Sequence, residues 1–127
     1  MSKIVLDASA ILAVLEEEPG ADQVIENASR LTVSAVNFAE VQGKLVDWGT
    51  PASEATALIL DLVGDIHAFD RTQAAYAGSL IAQTKILGLS LGDRCCLALA
   101  FHLKAPVYTT DKAWEALDLG FPIHVIR

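Results

Sequence analysis

Apolar and polar positions fall into blocks along this chain. Ile4-Val5-Leu6 is an unbroken apolar run that stops at Asp7, and a second apolar stretch, Ala10 to Leu15, follows at once. A short continuous run closed by a polar residue is the pattern of a strand buried on both faces. Asp7 is therefore expected at the carboxyl end of a central parallel strand, where open α/β sheets place their ligands. Aspartate is equally a good N-cap for the helix that follows.

The same alternation continues to the end. A first helix is predicted over Ala8–Glu17 and is broken by Pro19-Gly20; a short one follows over Ala21–Asn27. Leu31–Ser34 reads as a second strand. A longer helix then runs from Asn37 to Trp48, with Phe38, Val41, Leu45 and Trp48 on one face. Pro51 opens another, striped by Ala55, Leu58, Ile59 and Leu62. Ile66–Phe69 is a third strand, and Asp70 caps a helix through Leu87 that Gly88 ends. Leu89–Asp93 reads as a tight connection into Arg94–Lys104, a helix apolar nearly all round and hence buried. Pro106–Thr109 is the fourth strand, Ala113–Leu119 a last short helix, and Ile123–Ile126 the closing strand. Strands alternating with helices predict an α/β fold: a central parallel β-sheet of about five short strands, flanked by α-helices on both faces.

Composition narrows the class. With 127 residues, 53% of them hydrophobic, residues 1–127 are expected to form a single domain with a substantial core. The net charge of −7 argues against a broad basic nucleic-acid-binding face, but it suits an acidic metal site equally well. No uncharged run is longer than Thr72–Thr84, too short to span a bilayer, so no membrane partner is expected. Ala8–Leu15 is bounded by Asp7 and by Glu16-Glu17-Glu18 and is not a cleavable leader. Cys95 and Cys96 are adjacent in an apolar segment, which suits core packing and a reducing, cytoplasmic setting.

The candidate chemistry is carboxylate chemistry. Asp7, Asp93 and Asp111 each precede a predicted helix, and Asp7 and Asp111 also follow a buried strand. Right-handed crossovers bring the carboxyl ends of parallel strands to one sheet edge. Glu40 lies inside a helix among Val36, Ala39 and Gly43, small or apolar neighbours that let an acid point inward. Acids gathered closely repel one another, and a divalent cation relieves the conflict. Oxygen ligands with no His or Cys cluster suit Mg²⁺ or Mn²⁺ rather than zinc, and such sites act on phosphate esters. His67, His102 and His124 are scattered and read as structural. Arg94 and Lys112, each beside a candidate ligand, are either surface charges or contacts to a nucleic-acid backbone.

Four blocks then carry a resemblance: Val5–Ala10, Ser34–Val41, Leu89–Arg94 and Thr109–Asp111. In that order and spacing, with the turn at Glu18-Pro19-Gly20, the whole chain resembles the PIN-domain nucleases, and within them the VapC toxins of type II toxin–antitoxin systems. The resemblance implies a Mg²⁺-dependent endoribonuclease acting on structured or translation-related RNA, a homodimer, and inhibition by a VapB-type antitoxin. By position it implies Asp7 and Asp93 as the principal metal ligands. Glu40 completes the site directly or through water, Asp111 is the fourth and most variable acid, and Thr109 or Thr110 supports the cluster by hydrogen bonding. Two other readings stay open. One is a catalytically silent PIN fold used as a binding module. The other is a phosphoacceptor receiver domain built on Asp70 and Lys104, although that fold wants paired acids after the first strand and Ala8 follows Asp7.

Overall fold

The computed structural model describes residues 2–127, which form five strands and seven α-helices. In chain order these are β1 (Ile4–Leu6), α1 (Ala8–Leu15), α2 (Ala21–Ile25), β2 (Leu31–Ser34), α3 (Ala35–Asp47), α4 (Ala52–Leu62), β3 (Ile66–His67), α5 (Arg71–Ser79), α6 (Ile81–Thr84), α7 (Leu91–Leu103), β4 (Val107–Thr109) and β5 (Ile123–Val125). A 3-10 turn at Lys112–Ala116 stands where the last helix was expected. The sheet runs β3-β2-β1-β4-β5, and every neighbouring pair is parallel.

Alternation along β1 divides the core. Ile4 and Leu6 pack against α1 to α4 with Val33, Val41, Leu45 and Ile59, whereas Val5 faces the other layer with Leu97, Leu99, Val107 and Trp114. Both faces of the central strand are thus sealed, the reason its sequence is continuously apolar rather than alternating.

Several boundaries differ from expectation, three of them for a clear local reason. The helix carrying Asp93 starts at Leu91, because Ser90 is its N-cap and Asp93 returns the bond from the third helical position, a reciprocal capping box. Asp93 therefore lies in the first turn and does not precede the helix. The helix after Asp70 is interrupted at Leu80, where Thr84 Oγ1 donates to the Leu80 carbonyl at 2.8 Å and Ser79 Oγ to that of Ala75. Hydroxyl back-bonding of this kind bends a helix. The long helix of the second block begins at Ala35, capped by Ser34, rather than at Asn37.

Strand order also decides between architectures. The chain leaves β1 toward β2 and β3 on one side and returns on the other as β4, so the topological switch point lies between β1 and β4. Asp70 follows the edge strand β3, separated from β1 by β2, and its carboxylate caps α5 by accepting from the Gln73 amide. A receiver site uniting Asp70 with the acid after β1 is excluded by this order. Among the described residues no helix is long and apolar enough to cross a membrane.

Candidate active site

The switch-point crevice is built on Asp7. Its register neighbour is Thr109: Leu6 pairs with Tyr108, which sets the next residue of each strand side by side. Thr109 Oγ1 donates to Asp7 Oδ2 at 2.5 Å, Ser9 Oγ donates to Oδ1 at 2.7 Å, and the Ala10 amide donates to Oδ1 at 2.8 Å. The two hydroxyls are themselves held, since Ser9 Oγ accepts from the Thr110 amide and Thr109 Oγ1 from that of Asp111. Asp7 is 2% exposed. Burial pushes its carboxyl up from 3.8 to about 6, against the lowering pull of these hydrogen bonds and with a further push from the Asp93 charge.

Glu40 and Asp93 enter from α3 and α7. Ser90 N–H donates to Asp93 Oδ2 at 2.9 Å, holding that carboxylate at the helix start. Gly92, beside it, is buried, and a Cβ there would fall on the Glu40 carboxylate. Asn37 sits one turn before Glu40, and its Nδ2 donates to Glu40 Oε1 at 2.7 Å and to the Gly92 carbonyl at 3.0 Å. The first turn of α7 and the Glu40 side chain are thereby fastened together.

Cys96 lies in the core within the field of these acids. Its thiol is fully buried and pushed well up, first by burial and then by the charges of Asp7, Asp93 and Glu40 together. The three acids come from the end of β1, from α3 and from the first turn of α7. Asp111 is exposed and caps the 3-10 turn by accepting the Ala113 amide at 3.0 Å, while its own amide donates to the Thr109 hydroxyl that holds Asp7. Thr110 reaches the cluster only through its backbone N–H.

The basic residues and histidines lie elsewhere. Arg94 is half-buried and directs Nη1 to the Ala77 carbonyl of α5 at 3.2 Å; Lys112 is exposed in the 3-10 turn. His67 lies 3.5 Å from Asp65, and His124 packs edge-on against Tyr108. A cavity of about 540 Å³ lies between α5, α7 and the 119–122 connection and contains none of the four acids. Among the described residues, no three His, Cys, Asp or Glu side chains stand close enough to hold an ion as they are placed. The donor set nevertheless fits a hard divalent cation: all oxygen, anionic, and including a buried carboxyl whose protonation a cation would reverse.

Ser9, Asn37 and Gly92 hold the acids in place, and sequence reasoning passed over all three as site residues. Asn37 at three residues before Glu40 has the spacing of a helix-face pair, and a glycine in a helical turn signals close approach of another group.

An all-parallel five-stranded sheet with helices on both faces, and carboxylates at the carboxyl ends of β1 and β4, defines the class: an open α/β domain. The PIN domain family model matches residues 4–119, and the chain belongs to that family. No curated protein sequence matches it. Its backbone is similar to that of a DNA-bound VapBC from Salmonella typhimurium, with TM-score 0.73, 18% identity and 98% of each chain covered. It is also similar to FitAcB from Neisseria gonorrhoeae, with TM-score 0.69, 23% identity and 94% and 95% coverage of this chain and that one. A third similar structure is VapBC-5 from Mycobacterium tuberculosis, described as a member of the VapBC family of toxin–antitoxin systems, with TM-score 0.63, 21% identity and 100% and 99% coverage.

Proposed function

We propose that this chain is a Mg²⁺-dependent endoribonuclease, a VapC-type toxin held in check by a VapB-type antitoxin. The observation that carries the reading is Asp7, held by Ser9 and Thr109 at the carboxyl end of β1, together with Glu40 tied through Asn37 to the turn of α7 that carries Asp93. Nearly full-length likeness to toxin–antitoxin structures supports the toxin role and an antitoxin partner; the reading also takes the toxin as a homodimer in the cytoplasm. Asp7, Asp93 and Glu40 would hold the ion, with Asp111 at the outer lip, and Mn²⁺ would substitute. When bound, the ion supplies Lewis-acid polarisation of a phosphoryl oxygen, a more acidic water and charge neutralisation at the leaving oxygen.

The chain's own residues prepare that chemistry. Ser9, Thr109 and Ala10 orient the Asp7 carboxylate before anything binds. The N-termini of α1 and α7 lie at the same edge and favour a phosphate in spite of the acidic net charge. Lys112, exposed just after Asp111, is placed to meet a nucleic-acid backbone; Arg94 is turned toward α5 and would have to rotate to do so.

The test is cleavage of RNA by the purified chain. With Mg²⁺ the expected result is endonucleolytic products. EDTA, Asp7→Asn and Asp93→Asn should each reduce cleavage to background. Activity that survives chelation or either substitution refutes the proposal, and inactivity of the wild-type chain on every RNA class leaves the binding-module reading in its place.

A further inference from the structure

We propose that Asn37 is the positioning residue for Glu40, a single amide that fixes the reach of the α3 acid against the first turn of α7. The inference rests on the proposed function and deepens it. Asn37 is 1% exposed, and its Nδ2 bridges two acceptors, Glu40 Oε1 and the Gly92 carbonyl, one residue from Asp93. Both partners lack a proton to give, so only the NH₂ end can face them and the reversed amide is ruled out.

That choice leaves a mark. Asn37 Oδ1 is buried with no partner. A side chain present only to fill the core would be apolar, because a sealed carbonyl without a donor is costly. A buried, half-satisfied amide calls for an explanation in what its satisfied half does. Here that half joins a candidate metal ligand to the helix that carries another. Gly92 is the counterpart: without a Cβ it leaves the space that the Glu40 carboxylate occupies. Asn37 thus pulls Glu40 against α7, and Gly92 lets it come. Groups that orient metal ligands from behind typically contribute ten- to a hundredfold in affinity or activity.

The experiment is Mn²⁺ binding to the purified chain, followed by the EPR signal of the free ion, for wild type, Asn37→Ala, Glu40→Gln and the double variant. Both single variants are expected to weaken Mn²⁺ binding by about ten- to a hundredfold. The double variant should be no weaker than Glu40→Gln alone, because Asn37 acts through Glu40. Asn37→Ser, which keeps a hydroxyl too short to bridge both acceptors, should show the same loss with less disturbance of the core and serves if Asn37→Ala does not fold. Wild-type affinity in the Asn37 variants overturns the positioning role, as do losses that add in the double variant. Wild-type affinity in Glu40→Gln removes Glu40 from the site, and the role of Asn37 with it. A wild-type chain that takes up no Mn²⁺ overturns the proposed function itself.

Discussion

Burying a carboxylate among hydroxyl and amide donors, with no positive side chain against it, leaves its ionised form short of stabilisation. Asp7 is that case, and its carboxyl lies at about 6 for that reason. Protonation is favoured in the folded chain relative to the unfolded one, whose value is near 3.8. The associated stability is therefore fully present below about pH 4 and lost as pH rises through 6, at roughly 1.4 kcal/mol for each unit of difference. Asp7→Asn removes the burdened charge and keeps a carbonyl for the Ala10 amide. In EDTA at pH 7.5 its urea midpoint should exceed that of wild type by an amount equivalent to ~1–3 kcal/mol. The gap should close by pH 4. A variant less stable than wild type at pH 7.5 would show that the hydroxyl bonds to the carboxylate outweigh its desolvation. The position of Asp7 was readable from the apolar run that ends on it. Its partners were not equally so: Ser9 is two residues away, but Thr109 is brought in by strand pairing that no local pattern encodes.

At the scale of elements, the first turn of α7 carries the most information per residue. Ser90 caps it, Gly92 yields space to Glu40, and Asp93 closes the capping box. Gly92→Ala separates the two roles of this turn. Alanine is the better helix former by about 1 kcal/mol, and the atoms it meets are the far end of a flexible glutamate, which can swing aside. The melting temperature should hold or rise while RNA cleavage falls at least tenfold. Cleavage at the wild-type level would mean that Glu40 works equally well when displaced. The capping box also explains why the helix was expected to begin at Arg94. Leu89–Asp93 has the composition of a connection, and only the reciprocal bond between Ser90 and Asp93 reveals it as a helix start. The break at Leu80 was hidden for the opposite reason: apolar spacing runs on through it, and the interruption comes from hydroxyls of Ser79 and Thr84 turning back onto the backbone. Glu40 was the least legible acid. Its small neighbours Ala39 and Gly43 are exposed, and what draws it inward is Asn37 on the same helix and Gly92 on another.

For the molecule as a whole, the two layers meet on β1 and both cysteines lie inside. Cys95 is 2% exposed and Cys96 fully buried, neither in a disulfide. A thiol reagent should therefore find no reactive sulfur in the native chain and two after denaturation. The native reaction rate should follow global opening, because Cys96 belongs to the core layer of Leu97, Val107 and Trp114. Rapid modification without denaturant would mean that α7 opens locally. Sheet order was the largest feature absent from the pattern of residues. Alternating elements imply a parallel sheet, but not that β1 stands between β2 and β4; that arrangement depends on contacts between segments about a hundred residues apart.

The bond from Thr109 to Asp7 has a consequence in time as well as in space. Protein synthesis delivers Asp7 102 residues before Thr109. A nascent chain that has already made α1 to α7 still lacks the strand that closes one wall of the crevice and the hydroxyl that aligns its first acid. For the ribonuclease proposed above, assembly of the site would thus wait until β4 has been made, and an inhibitor produced alongside would have that interval in which to be ready.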